Sequence, residues 1–210
     1  MSGTVLSVNV GRAREHGSSR GRPVRSAIRK APQAGRVALH GEALAGDEQV
    51  ERRYHGGPDQ AVYAYASEDL AWWATELGLD AIAPGTIGEN LTTRDVDPNG
   101  AVIGERWRVG PVLLAVTAPR IPCAKLGRVF PGTGIVRRFA HAGRTGAYLR
   151  LLEPGDVGAG DAVTVVDRPA HGVTVADVAR IVQHERHRAA ELRAVPELAS
   201  RLAAWAADAD

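Results

Sequence analysis

The segment "RVGPVLLAV", residues 108–116, contains two short apolar stretches that meet at the dipeptide Gly110-Pro111. Glycine next to proline is a strong turn signal, and each flanking stretch has the length of a strand. The segment therefore predicts two strands, at 105–109 and 112–117, which are joined by a tight turn.

The same turn signals recur throughout the chain. Of its 210 residues, 24 are glycine and 12 are proline, and their combined share exceeds the level of about 12% that is usual in proteins. These residues divide the chain into short segments, which favours many short strands joined by turns. Five further strands are predicted, at 4–10, 24–28, 60–64, 147–152 and 162–166.

One helix interrupts the strands. Ser67 is predicted as its N-cap, two acidic residues follow in the first turn, and Gly78 ends it. Apolar residues recur along this helix at spacings of three and four, which indicates one buried face. The adjacent Trp72 and Trp73 are interpreted as packing in the core and at its rim rather than as a stacking site for a ligand.

The C-terminal part has a different composition. After residue 172 the sequence is rich in alanine and leucine and contains no glycine. Thr174 and Asp177 have the spacing of a capping box, and Pro196 predicts the start of another helix. We therefore expect a mainly β domain over residues 1–170, followed by a small helical extension over residues 171–210.

A metal site on this extension is not expected. His184 and His187 lie three residues apart on a predicted helix, a spacing that can hold a metal ion. However, neighbouring arginines repel a cation, and no third ligand is near in the sequence. The two histidines are therefore interpreted as part of a solvated helix face.

Charge is unevenly distributed along the chain. The formal net charge is only +2, but residues 1–40 contain eight basic residues and one acidic residue, Glu15. Such a segment indicates an anionic ligand, either a phosphate or nucleic acid, and the alternative is a solvated arginine-rich loop. The small net charge argues against nucleic acid as the main partner.

The cysteine count and the hydropathy pattern indicate the cellular compartment of the protein. With one cysteine, no internal disulfide can form, which fits a reducing compartment. No run of about 18 apolar residues could span a membrane, and the N-terminal "VLSVNV" is too short for a secretory signal. We therefore expect a cytoplasmic protein without membrane contact.

The single cysteine lies in "PRIPCAKL", residues 119–126. Arg120 and Lys125 would stabilise the thiolate form of Cys123, and the two prolines make the loop stiff. Such a thiolate suits a nucleophile, a persulfide carrier or a ligand of a soft metal. The alternative is a buried cysteine that acts as a small hydrophobic residue.

Two further motifs are candidates for binding a ligand. "SAIRKAP" carries Arg29 and Lys30 at the end of a predicted strand, where they would anchor a phosphate. "YHGGPDQAV" carries His55, Gly56 and Gly57 just before another strand. Paired glycines let the backbone approach a ligand and turn N–H groups outward, and histidine supplies a donor or acceptor near neutral pH. An ordinary turn is the alternative for this second motif.

A third motif is "GTIGENLTT", residues 85–93. Gly88 permits a tight bend, and Glu89 is a candidate proton donor or structural acceptor. Asn90 has paired donor and acceptor atoms that suit the edge of a heterocycle. The alternative is local turn bonding by an asparagine-type side chain.

Five motifs follow one another along the chain in a fixed order. "IRKAP" is followed by "GDEQVERRYHGGPDQAVYAY", "PGTIGENLTT", "APRIPCAKL" and "GAYLRLLEPGDVGAGDAV". In this order they resemble the MOSC domain, the module named for the C-terminal part of molybdenum cofactor sulfurases. More narrowly, residues 4–208 resemble the stand-alone bacterial MOSC proteins that have a C-terminal three-helix extension. The resemblance implies a strongly bent β-barrel with a few helices, which agrees with the many short strands.

The resemblance also implies roles for individual residues. Cys123 is expected to be the thiolate ligand of molybdenum in a pterin cofactor (molybdopterin), or a sulfur-bearing residue as in sulfurase relatives. Arg120 resembles an arginine that helps to hold this cofactor, and Lys30 resembles a lysine that grips its terminal phosphate. The motifs at 55–57 and 88–90 are expected to line the same pocket.

Three positions extend or depart from the family pattern. Arg29 and Lys125 are added to the cofactor-binding residues because they are cations next to the implied ligands. Many family members have an aspartate four residues before the histidine, and this chain has Glu51 there. Because a carboxylate is retained, we expect only a small change of geometry.

The implied activity is that of a molybdenum-pterin oxidoreductase. It would reduce small N-hydroxylated compounds such as hydroxylamino-purines, amidoximes and hydroxylamines. The sequence has no flavin or iron–sulfur motif, so electrons would come from a separate reductase, and protons from Glu89, His55 or solvent. Sulfur transfer through a Cys123 persulfide and a non-catalytic module that binds the cofactor or another phosphorylated ligand stay open as alternatives. A monomer or a homodimer is expected.

Overall fold

Short strands dominate the structure, a computed structural model that describes residues 2–50 and 56–209. The strands are β1 (Ser2–Val10), β2 (Arg14–Ser19), β3 (Arg22–Ser26), β4 (Ala31–Pro32), β5 (Val37–His40), β6 (Ala43–Leu44), β7 (Val62–Ala66), β8 (Leu91–Arg94), β9 (Arg106–Val109), β10 (Val112–Pro119), β11 (Ala147–Glu153), β12 (Gly155–Val157) and β13 (Ala162–Asp167). The α-helices are α1 (Ser67–Leu77), α2 (Ala124–Val129), α3 (Ile135–Ala142), α4 (Val175–Gln183) and α5 (Ser200–Ala207), and two 3-10 helices span Pro58–Gln60 and Arg186–Ala194.

Seven of these strands form a closed barrel. Hydrogen-bonded neighbours follow the order β13, β9, β10, β11, β7, β8 and β1, and β1 pairs again with β13 through Gly3 and Val163. The pairing of β7 with β8 is parallel, and the other pairings around the barrel are antiparallel. Closure removes the free edges that an open sheet would present. The predicted β-barrel with a few helices is confirmed.

The hairpin of β9 and β10 is the segment with the Gly-Pro turn. Val109 pairs with Val112 across Gly110, whose φ of 53° lies in the left-handed region that glycine adopts without strain. Both valines are completely buried in the barrel core. The two predicted strands are therefore confirmed, and β10 runs on to Pro119, where the chain turns toward Cys123.

Two other strand predictions are shifted by two residues. The strand predicted at 60–64 is β7, which begins later because the 3-10 helix comes first. The strand predicted at 24–28 is β3, which begins earlier and pairs with β2 in a separate two-stranded ribbon. Arg128 of α2 donates to the carbonyl oxygens of His16 and Ser18, at 3.0 and 3.1 Å, and so holds the ribbon against α2.

The helix after β7 is confirmed, but its predicted N-cap is wrong. The N-cap is Ala66, without a side-chain bond, and Ser67 is the first helical residue. The Ser67 hydroxyl donates to Glu68 at 3.0 Å instead of capping the backbone. Gly78 ends the helix in the left-handed conformation, as predicted. Trp73 is buried and Trp72 is half-buried, which confirms core and rim packing.

The C-terminal helices lie against the barrel. The predicted capping box of Thr174 and Asp177 is present at the start of α4. The predicted helix start at Pro196 is wrong: this residue lies in a turn, because the N–H of Ala199 donates to Thr117 of β10 at 3.0 Å and the helix begins only at Ser200. Apolar side chains of this segment belong to the barrel core. The predicted division into two domains at residue 170 stays a prediction.

None of the helices in residues 2–50 and 56–209 combines the length and the apolar composition that crossing a bilayer requires.

Candidate functional site

A cleft with about 690 Å³ of empty volume opens where the barrel meets α2. Six of the sequence-predicted site residues line it: Lys30, Gly56, Asn90, Arg120, Cys123 and Lys125. These residues come from well-separated parts of the sequence, and the barrel brings them together.

Cys123 lies between the end of β10 and the start of α2. It occupies the N-cap position, where its carbonyl oxygen accepts from the N–H of Leu126 at 3.0 Å and its side chain makes no capping bond. The thiol is half-buried and is not part of a disulfide. Its sulfur is close enough to Arg120 and Tyr148 to influence the pKa of each. A cysteine beside a buried guanidinium is held in the environment that favours a thiolate.

Arg120 is a buried cation in the wall of the cleft. Its Nη1 donates to the carbonyl oxygen of Ile87 at 2.5 Å, and its guanidinium lies 5.2 Å from the centre of the Tyr63 ring. Burial alone would lower the pKa of Arg120, but its contacts with Tyr63, Tyr148 and Cys123 raise the pKa above its ordinary value. The side chain therefore keeps its charge in the site, where solvent screens it little.

Lys30 forms a buried ion pair with Asp47. Its Nζ lies 2.5 and 2.6 Å from the two carboxylate oxygens. Asp47 also accepts from the N–H of Gly11 at 2.7 Å and from Nδ2 of Asn90 at 3.0 Å. Burial lowers the pKa of Lys30, although Asp47 opposes this shift. The charge of the predicted phosphate anchor is thus already balanced by a carboxylate.

Asn90, which directly precedes β8, joins strands β7 and β1 rather than closing a local turn. Its Oδ1 accepts from the N–H of Tyr63 at 3.1 Å, and its Nδ2 also donates to the carbonyl oxygen of Asn9 at 3.3 Å. Its partners are far away in the sequence, so the alternative of local turn bonding does not describe this side chain. Its contact with a heterocycle stays a prediction.

Glu89 lies behind the wall of the cleft and is fully buried. Its Oε1 accepts from the N–H of Gly85 at 2.5 Å and from the hydroxyl of Thr92 at 3.0 Å. Its Oε2 has no hydrogen-bond partner among the described residues. Burial raises the pKa of Glu89, whereas these hydrogen bonds and the charge of Arg120 lower it by a smaller amount. The carboxyl group can therefore hold a proton at a higher pH than an exposed glutamate.

Gly56 lines the cleft, but Gly57 and Arg29 do not. The N–H of Gly56 donates to Gln60 at 3.0 Å and that of Gly57 to Gln49 at 3.2 Å, so both amides have partners within the protein. Arg29 lies in a neighbouring groove and donates to the carbonyl oxygen of Val129 at 3.1 Å. His55 and Glu51 lie outside the described residues.

The histidines of the C-terminal extension lie apart from the cleft lining. Nε2 of His184 lies 2.9 Å from the carbonyl oxygen of Ala140, and its ring stacks on His141 with centroids 4.7 Å apart. Within the described ranges, no group of three or more histidine, cysteine, aspartate or glutamate residues is arranged to hold a metal ion.

Sequence reasoning missed two tyrosines and Asp47. Tyr63 of β7 and Tyr148 of β11 are paired across the two strands, and their rings lie 5.1 Å apart on the wall of the cleft. Burial raises the pKa of Tyr148, so its hydroxyl stays protonated. A tyrosine at every second position of "VYAYA" was the available signal for an aromatic wall, since alternate residues of a strand share a face.

Comparisons with known proteins show which family and which fold this chain shares. A model of the MOSC domain matches residues 51–164. The protein YiiM of Escherichia coli (strain K12) is 36% identical over 162 residues, which cover 76% of this chain and 71% of YiiM. A reductase of Gibberella moniliformis (strain M3125 / FGSC 7600) is 32% identical over 184 residues, but these cover only 32% of its length. The crystal structure of YiiM from Geobacillus stearothermophilus superposes with a TM-score of 0.80 at 26% identity and covers 98% of this chain.

Proposed function

The chain belongs to the MOSC domain family, and from this premise we propose that it is a molybdenum-pterin reductase of N-hydroxylated compounds. Substrates of this class are hydroxylamino-purines, amidoximes and hydroxylamines. The observation that carries the proposal is the position of Cys123, a half-buried thiol on the wall of a cleft that also contains Arg120 and Lys30. The relative from Gibberella moniliformis is named a reductase, which supports reduction as the reaction.

The residues of the cleft fit a metal that arrives in an organic cofactor. Cys123 offers one soft thiolate ligand. The described residues contain no cluster that would hold a bare metal ion, so further ligands would come from the cofactor itself. The paired Tyr63 and Tyr148 offer a flat aromatic wall, and Arg120 offers a fixed positive charge to an anionic group. Cys123 would hold the metal, and Lys30 and Arg120 would hold the anionic parts of the pterin.

The bound cofactor would supply the two-electron chemistry, in which an N–OH group, two electrons and two protons give N–H and water. The chain would orient the substrate and exclude water. Arg120 would stabilise the thiolate of Cys123 through its positive charge, because the two groups interact electrostatically. A proton on Oε2 of Glu89 would lie behind the cleft wall rather than in the cleft, so we propose solvent rather than Glu89 as the proton donor. Electrons would come from a separate reductase protein.

Metal analysis and an activity assay test the proposal. The chain is expressed in cells that make the cofactor, and molybdenum content and reduction of N-hydroxyadenine by a reduced viologen dye are measured. We expect about one molybdenum per chain in the wild type, and loss of both metal and activity in Cys123→Ala. Ser19→Ala, on the exposed β2–β3 ribbon, is the matched control and should keep both.

Other outcomes of these measurements would refute the proposed function or favour a different one. A wild-type protein that is free of molybdenum and inactive under these conditions would refute the proposal. A Cys123→Ala variant that retains molybdenum would remove the role of the thiol as metal ligand. One additional sulfur on Cys123 in the intact mass of the wild type, without reductase activity, would favour sulfur transfer.

A further inference from the structure

A second concavity, with about 770 Å³ of empty volume, lies beside the cleft. Three arginines line it, Arg12, Arg14 and Arg29, and no carboxylate of the described residues does so. We call it the arginine groove. Lys30 lines both the groove and the cleft, so the two cavities are neighbours.

The wall between the two cavities carries little net charge. It consists of the Lys30–Asp47 ion pair, in which the carboxylate compensates the ammonium group, and of Gly11, whose N–H donates to Asp47 at 2.7 Å. On the groove side, the three arginines outnumber the one other nearby carboxylate, that of Glu48, whose Oε2 accepts from the N–H of Ala13 at 2.8 Å. That side of Lys30 therefore carries a net positive charge, as the cleft side does through Arg120. An anionic group near this wall would be drawn toward the arginines.

The three arginines are available to a ligand. All three are exposed. Arg12 and Arg14 have no ion-pair or hydrogen-bond partner for their side chains among residues 2–50 and 56–209, and Arg29 uses only Nη2, on the carbonyl oxygen of Val129. The planar fork of a guanidinium matches the oxygen atoms of a phosphate, and such charge-assisted bonds are strong. Small residues at positions 11, 31, 45 and 46 complete the lining and let a ligand approach the backbone.

We propose that the arginine groove binds the phosphate group of the substrate, which makes N-hydroxylated nucleoside phosphates the preferred substrate class. The inference rests on the proposed reductase function and adds to it a subsite outside the cofactor cleft. A tightly held cofactor is largely buried by its protein. The exposure of Arg12, Arg14 and Arg29 instead fits a part of the ligand that binds and leaves in each turnover.

The first experiment measures binding without catalysis. Adenosine 5′-monophosphate is titrated into the purified full-length chain at low salt, and binding is followed by calorimetry. Arg12→Gln/Arg14→Gln should weaken binding about tenfold or more, since charge-assisted hydrogen bonds from arginine to phosphate are stronger than those between neutral groups. Arg20→Gln/Arg22→Gln, an equal change of charge at the far tip of the exposed ribbon, should weaken it less than about twofold, because screening limits distant charges.

The second experiment measures specificity of the molybdenum-loaded chain. The values of kcat/KM are compared for N-hydroxyadenine, its nucleoside and its nucleoside 5′-monophosphate. The wild type should prefer the monophosphate, and Arg12→Gln/Arg14→Gln should reduce the ratio of monophosphate to free base about tenfold or more. The ribbon variant should keep the wild-type ratio. Absence of molybdenum and of activity on every substrate would refute the reductase function, while the titration would still test the groove.

Three results would overturn the inference. The first is equal weakening of nucleotide binding by the groove and ribbon variants, which would indicate general electrostatics. The second is loss of molybdenum from Arg12→Gln/Arg14→Gln, which would assign the groove to the phosphate of the cofactor. The third is tighter binding of a single-stranded oligonucleotide than of the monophosphate, with both variants weakening it alike, which would indicate a nucleic-acid surface.

Discussion

The Lys30–Asp47 pair illustrates how single residues determine this site. Both side chains are nearly buried, with 8% and 4% of their surface exposed. Removing two charges from water is unfavourable, so such a pair is stable only when further hydrogen bonds complete it. Asp47 has these bonds, from Gly11 and Asn90. Asp47 is therefore a positioning residue, because it holds the lysine of the cleft and the amide of Asn90 at once.

The variant Asp47→Asn tests this role. It leaves the ammonium group of Lys30 buried without a counter-charge, and we expect the free energy of unfolding to fall by about 3–5 kcal/mol. Urea denaturation followed by circular dichroism measures the change. Asp80→Asn alters an exposed carboxylate and should stay within about 0.5 kcal/mol of the wild type. Equal effects of the two substitutions would show that the Lys30–Asp47 pair contributes nothing to the free energy of unfolding.

Sequence reasoning could find Cys123 and Lys30 but not Asp47, and the reason is physical. The chain has a single cysteine and only two lysines, so each of these residues is conspicuous. Aspartate is common, and the function of Asp47 depends on partners that are 36, 17 and 43 residues away. No local pattern encodes contacts at such separations. Arg120 was identified from its place beside Cys123, but its burial against the rings of Tyr63 and Phe139 depends on β7 and α3 and has no local signal.

At the scale of elements, the sequence predicted seven of the thirteen described strands and the long helix α1, but not the short helices α2 and α3. Glycine and proline mark strand ends directly, and the long helix α1 has a clear apolar periodicity. The helices α2 and α3 have only six and eight residues, which is too short for a periodic pattern. Helices this short form because tertiary packing stabilises them. Buried Leu126 and Phe139 supply that packing here.

Helix caps provide a prediction at this scale. Thr174 accepts from the N–H of Asp177 at 3.1 Å, and the Asp177 carboxylate accepts from the N–H of Thr174 at 3.1 Å. Thr174→Ala removes one half of this box and should lower the free energy of unfolding by about 1 kcal/mol. Ser67→Ala is the control, because the Ser67 hydroxyl caps no backbone group, and its effect should stay within about 0.5 kcal/mol. Thermal unfolding of both variants measures the two changes in stability. A larger loss of stability in Ser67→Ala than in Thr174→Ala would contradict the observed capping.

At the scale of the whole molecule, closure of the barrel joins the two ends of the β domain. Gly3 of β1 pairs with Val163 of β13, and the intervening chain supplies the other five barrel strands. Local patterns predicted most of these strands, but neither their order nor the parallel pairing of β7 with β8 has a local signal. The barrel was expected only because the motifs resemble those of a known family.

The C-terminal helices extend the same core, which leads to a prediction about truncation. Val175, Val178, Ile181, Leu192 and Val195 are buried in one cluster with the barrel strands. Burial of each such side chain contributes about 1.5–3 kcal/mol, and a whole domain is stable by only about 5–15 kcal/mol. A chain that ends at residue 170 should therefore lose cooperative thermal unfolding and near-ultraviolet circular dichroism. Full-length Val178→Ala is the control and should unfold cooperatively at a lower temperature, because it removes only part of one side chain. If the truncated chain unfolded cooperatively, the barrel would be an independent domain, as the sequence alone predicts.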